Sequence, residues 1–146
     1  MPDRDVRAAK TGGLLQIGEV ADRVGLSLRT VRYYEEQGLL TPETRSAGGF
    51  RLYSEDQVDR LGLIKQMKPL GFTVQEMREL LDARDALRAA DASGDARLAA
   101  AATLSEYAEA AAERCAKLSE QIRQAEGLAG RLRREARGEG ARPTQV

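Results

Sequence analysis

The sequence contains no histidine and no tryptophan, and only one cysteine. Without histidine the chain lacks the commonest metal ligand and the commonest general base. One cysteine, Cys115, cannot close a disulfide within the chain. Thiolate metal sites and iron–sulfur clusters draw on several cysteines, so neither is expected, and no metal or cofactor is assigned. Aromatic residues make up 4% of the chain, too few for an aromatic-rich core. No run of about 18 apolar residues occurs, so no membrane span is expected. Met1 to Gly13 is charged and has no apolar segment, unlike a secretory signal. The expectation is a soluble, cytoplasmic protein with no membrane partner. No phosphate-binding glycine loop and no paired carboxylates stand beside a nucleophile, so nothing points to an enzyme.

What is present is charge. The chain carries 23 basic and 23 acidic side chains and is formally neutral. The balance is uneven locally. From Arg23 to Arg51 there are five arginines (23, 29, 32, 45 and 51) against three acids, Glu35, Glu36 and Glu43. Any nucleic-acid surface must therefore be a patch, with the acids turned away or used to orient a neighbour; Glu35 is placed to pair with an arginine. Within Leu26 to Tyr53, Ser27 can cap a helix by accepting from free backbone N–H groups. Val31 and Tyr34, three apart, face inward, and Arg29, Arg32 and Tyr33 share the outer side. Gly38 ends the helix. Ala47-Gly48-Gly49 offers positive φ for a tight hairpin. In the following Phe50-Arg51-Leu52-Tyr53, alternation puts Arg51 and Tyr53 on one strand face and Phe50 and Leu52 on the other. A helix and a wing that both carry arginine and tyrosine suit a duplex, since arginine forks match phosphates and guanine edges and tyrosine hydroxyls bond phosphate oxygens.

Upstream, Ile17, Val20, Ala21 and Val24 fall on one helical face and Gly25 breaks the chain, giving two short helices around a glycine turn. Downstream, Ser54 to Gln57 reads as a capping box opening a helix with a Val58, Leu61, Ile64 and Met67 stripe. Pro69 should end that helix. Thr73 to Glu76 is a second capping box, before a helix lined by Met77, Leu80, Leu81 and Leu87. Lys65 and Lys68 flank the turn, where each is either a phosphate contact or a solvated lysine at a helix C-terminus. From about Ala96 to Arg137 there is no proline. Positions 101, 104, 108, 111, 115, 118, 122, 125, 129, 132 and 136 step by alternating threes and fours and hold no charged residue. That is a coiled-coil seam, and a second subunit should supply its partner helix. The expected dimer interface is Leu104, Ala108, Ala111, Cys115, Leu118, Ile122, Ala125 and Leu132. Cys115 is weighed as a thiol switch against a small apolar seam residue, and reads as the latter.

These residues resemble the DNA-binding domain of the MerR (mercury-resistance regulator) family of bacterial transcription factors. The resemblance covers Gln16 to Leu81 and is carried by IGEVADRVGLS, RTVRYYEEQGLL, RSAGGFRLYSEDQVDRL and LGFTVQEMRELL. It implies a mainly α fold: a winged helix-turn-helix with a small β-hairpin wing, then a long C-terminal helix forming an antiparallel coiled-coil dimer. The expected organisation is a disordered arm over 1–13, the DNA-binding domain over 14–90, the dimerisation helix over 94–137 and a disordered tail over 138–146. By the resemblance, Arg29, Arg32 and Tyr33 match recognition-helix contacts, Arg51 and Tyr53 wing contacts, and Lys68 a second-wing backbone contact. Thr30 and Gly49 complete the DNA-binding set. Pro69 departs from the helix-forming residue usual at its position. The implied function is a regulator that binds a promoter spacer as a homodimer. It bends and untwists that spacer for RNA polymerase holoenzyme, more often to activate than to repress, and is nucleoid-associated. No recognisable sensor is implied. The alternative is an architectural DNA-binding protein whose coiled coil is a docking surface.

Overall fold

The structure is a computed structural model that describes residues 13–140. Of the expected disordered arm and tail, residues 1–12 and 141–146 lie outside the described residues, and 138–140 form turns. The chain divides into two compact units between Ser105 and Glu106.

The first unit runs β1 (Leu15–Gln16), α1 (Ile17–Val24), α2 (Leu28–Glu36), β2 (Thr44–Arg45), β3 (Arg51–Tyr53), α3 (Glu55–Met67), a 3-10 turn (Lys68–Leu70) and α4 (Val74–Arg88), followed by the first turns of α5 (Gly94–Ala136). Local chemistry sets the junctions. Gly25 takes a left-handed φ of 77°, and its N–H and that of Leu26 both bond the Ala21 carbonyl. The chain can then reverse into α2, where the Ser27 hydroxyl accepts from the Thr30 N–H at 3.1 Å. Gly38, at φ 76°, closes α2 in the same left-handed way.

A two-residue strand at Leu15 was not expected; it pairs antiparallel with β3 through Leu15↔Tyr53 and Gln16↔Leu52. The hairpin supplies the other edge, Thr44↔Leu52 and Arg45↔Arg51. β3 is therefore the middle strand. Leu52 and Tyr53, on opposite faces of the pleat, are both buried, whereas Phe50 at the wing tip is 63% exposed. Phe50 lies beyond the last paired residue of β3. Of the two adjacent glycines only Gly49 has positive φ, at 82°.

The helical core is Val20, Val31, Tyr34, Leu39, Leu61, Ile64, Met67, Phe72, Met77 and Leu81. Each such aliphatic side chain contributes about 1.5–3 kcal/mol by leaving water. α3 stops at Met67, and Pro69 sits inside the 3-10 turn that Gly71, at φ 80°, reverses. Thr73 and Glu76 form the expected reciprocal capping box. The Ser54 box is only half formed. Its hydroxyl accepts from the Gln57 N–H, but the Gln57 side-chain carbonyl accepts the Thr41 N–H at 3.0 Å instead of turning back. Leu87 is exposed rather than core. Across α3 and α4, Arg60 pairs with Asp85 at 2.6 Å, Arg88 with Asp56 at 3.4 Å, and Arg84 with Asp59.

In the second unit α5 continues as a single helix. Its full 43 residues extend about 64 Å at ~1.5 Å per residue. Along the seam Leu104 and Ala111 are half-buried, while Ala108, Cys115, Leu118, Ile122, Ala125 and Leu132 are exposed. Leu128 adds to this apolar surface.

Gly25→Ala is expected to lower stability by about 1–2 kcal/mol, because the left-handed turn penalises a Cβ. That Cβ would also sit 2.9 Å from the Lys65 Nζ. Gly18→Ala, in open helical space, should be neutral or stabilising. Urea unfolding of the two variants checks the contrast; equal midpoints would contradict the glycine cap.

Candidate nucleic-acid interface

Helix α2 has a buried side and a polar side. Val31 and Tyr34 are buried; Arg29, Arg32 and Tyr33 are exposed, with Thr30 half-exposed between them. Burial raises the pKa of the Tyr34 hydroxyl, with the neighbouring Tyr33 as a smaller cause. The two rings lie 5.4 Å apart and tilted, so Tyr33 is braced from beneath while its outer edge stays wet.

The wing is ordered by its own bonds. The Gly49 N–H donates to the Ser46 carbonyl at 2.9 Å, and the Phe50 N–H donates to the Ser46 hydroxyl at 3.2 Å. Arg45 donates to the Gly49 carbonyl at 3.2 Å. Between α2 and this hairpin lies a cleft of about 220 Å³ whose lining includes Arg32, Arg45, Gly49, Phe50 and Arg51. Three arginines, from α2, β2 and β3, thus line one hollow. Arg45 was not among the sequence candidates; its register opposite Arg51 is the signal that could have found it.

On the other flank of α2 a hollow of about 520 Å³ is lined by Arg29, Thr30, Tyr33, Lys65, Lys68 and Pro69, among others. It brings the recognition-helix candidates beside the turn after α3. The Lys65 ammonium donates to the Val24 carbonyl at 2.6 Å, so it caps the C-terminus of α1. Lys68 is exposed at the rim.

Tyr53 requires a correction. It has no exposed surface, and its hydroxyl donates to Glu35 on α2. A side chain in that position has no surface to offer a duplex, so Tyr53 is a core residue and not a wing contact. Burial first, and then the bond to the carboxylate, push its pKa well above the ordinary tyrosine value. The other oxygen of the same carboxylate lies 3.1 Å from Arg51. The sequence placed Glu35 beside an arginine but did not show that it also receives Tyr53. Among the described residues no group of three or more His, Cys, Asp or Glu side chains is arranged to hold a metal ion, and no helix is long and apolar enough to cross a membrane.

Two family models match the chain: MerR HTH family regulatory protein over residues 15–84, and MerR, DNA binding, over residues 58–134. The mercuric resistance operon regulatory protein of Bacillus cereus is 47% identical over 70 residues, 48% of this chain and 53% of that protein. The HTH-type transcriptional regulator ZntR of Escherichia coli K12 is 42% identical over 71 residues, 49% of this chain and 50% of that protein. The chain therefore spans about half the length of these curated relatives. Among solved structures, PbrR691 from Ralstonia metallidurans CH34, in complex with lead(II), superposes with a TM-score of 0.51 at 28% identity, covering 89% of this chain and 91% of that one. HiNmlR, a MerR family regulator lacking the sensor domain and bound to promoter DNA, superposes with a TM-score of 0.62 over 86% of this chain and 96% of that one; at 19% identity it speaks to the fold.

Arg32→Ala and Arg51→Ala are each expected to lower affinity for the preferred duplex by about 1–3 kcal/mol where the fork meets a base edge. Lys68→Ala should instead weaken all duplexes alike and flatten the logarithmic salt dependence by about one. Fluorescence anisotropy titrations at several salt concentrations check both; unchanged affinities would remove these residues from the interface.

Proposed function

The chain belongs to the MerR family, and from that premise we propose that it is a sequence-specific transcriptional regulator that binds duplex DNA as a homodimer. The observation that carries this reading is the convergence of Arg32, Arg45 and Arg51 on one cleft between α2 and the hairpin. Helix α2 enters the major groove with Arg29, Thr30, Arg32 and Tyr33 toward the bases and their flanking phosphates. The hairpin, with Gly49 at its tip, and Lys68 follow the backbone on either side. Phosphate contacts fix the register and base contacts select the sequence.

Dimerisation is assigned to α5, whose seam residues Leu118, Ile122 and Leu132 are exposed in one copy. An antiparallel pairing with a second copy buries Leu104, Leu118, Ile122 and Leu132, with Ala108, Ala111, Cys115 and Ala125 allowing the helices to approach closely. The dimer binds a pseudo-palindrome in a promoter spacer and bends and untwists it, so that RNA polymerase holoenzyme engages both flanking elements. Activation is the expected outcome. Smooth bending of such a site costs of order 1–6 kcal/mol, which the phosphate contacts of two subunits offset. The protein acts in the cytoplasm on nucleoid DNA. No metal effector is proposed: one cysteine and no histidine cannot furnish the usual thiolate and imidazole ligand sets.

Two measurements test this reading. Genome-wide mapping with footprinting should place bound sites between promoter elements; protection confined to recombination sites would favour an architectural role instead. Ile122→Asp, which puts a charge on the seam, should convert a dimer into a 15.9 kDa monomer in sedimentation and abolish tight binding to the full palindrome. A wild-type protein that sediments as a monomer at working concentrations would refute the dimer.

A further inference from the structure

Glu35 of α2 pairs with Arg51, which lines the cleft between α2 and the wing, and we infer that Glu35 is a positioning residue that sets the aim of Arg51 and thereby DNA specificity. The inference rests on the DNA-binding reading above. Both oxygens of this carboxylate are committed: one accepts the hydroxyl of fully buried Tyr53, and the other lies 3.1 Å from a terminal nitrogen of Arg51. The two partners differ in kind. Tyr53 is core, whereas Arg51 is 44% exposed and lines the cleft beside Arg32 and Gly49.

Fold stability alone does not explain a carboxylate here. A neutral acceptor would satisfy the tyrosine hydroxyl, and desolvating an ion without need is unfavourable. The Glu35 side chain is only 14% exposed, so its charge is largely withdrawn from water. An ion pair to a half-exposed arginine contributes little to folding. What the pair does fix is orientation. A guanidinium has five donors in a rigid fork. Anchoring one edge on a carboxylate that Tyr53 itself immobilises leaves the other edge directed into the cleft. Glu35 belongs to α2 and Arg51 to β3, so the same contact ties wing register to the recognition helix. Pre-aimed donors lose less freedom on binding than mobile ones.

The test is a double-mutant cycle on the full chain, with Glu35→Gln, Arg51→Ala and the pair. Glutamine keeps an acceptor for Tyr53 and removes the charge, and thermal melting confirms that each variant folds. Affinities are read on the preferred duplex and on an unrelated one. Glu35→Gln should weaken the preferred duplex about fivefold or more, as expected for a misdirected specific arginine. It should leave the unrelated duplex unchanged or slightly tighter, because a negative charge has gone. Arg51→Ala should then add little on the Glu35→Gln background. Tighter binding of both duplexes would make Glu35 a competitor of phosphate and overturn the inference, as would equal losses on both duplexes or strict additivity of the two substitutions. Equal affinity of the wild-type protein for both duplexes would remove the regulator reading, and the inference with it.

Discussion

The joint between α2 and β3 is the constraint on which the rest of the proposed DNA-facing surface depends. Tyr53 is wholly buried and its hydroxyl must find an acceptor; Glu35 supplies it from α2. That bond fixes the middle strand of the sheet against the helix. β1 and β2 then take their register from β3, and the hairpin tip can only project beside the outer face of α2. A wing tied to the sheet alone would leave its distance from the recognition helix to loop flexibility. Here a buried polar contact sets it.

The formal charge of zero is compatible with this surface because the arginines are used in two ways. In α3 and α4, Arg60, Arg84 and Arg88 are paired with Asp85, Asp59 and Asp56 across the helix interface, and Arg23 of α1 with Glu55. Those acids are thereby paired with arginines that lie outside α2 and the hairpin. Arg29, Arg32 and Arg45 line hollows in which no acidic side chain takes part. Net charge averages over both populations and conceals the patch. Local electrostatics, not the total, sets attraction to a polyanion.

Much of this architecture was legible in the sequence, and the reasons differ by element. The helix junctions were readable because Ser27, Gly25, Gly38 and the Thr73–Glu76 box act within a few residues of themselves. The inner face of α2 followed from the spacing of Val31 and Tyr34. β1 was not readable, since two residues carry no periodicity and its pairing partner lies nearly forty positions away. Tyr53 was misplaced for a related reason. Alternation separates two faces but does not say which is wet, and in a middle strand both can be covered. Tyrosine is amphipathic, so its identity could not decide the matter. The half-formed Ser54 box shows a local rule overridden: Gln57 bonds Thr41 in a distant loop.

In the proposed function two such modules, joined through α5, engage one duplex by changing its shape. Fluorescence energy transfer between dyes on the two ends of a short duplex carrying the mapped site measures that directly. Addition of the protein should shorten the end-to-end distance, and the shortening should disappear when the α5 pairing is broken. A saturated complex with the end-to-end distance of free DNA would contradict the account.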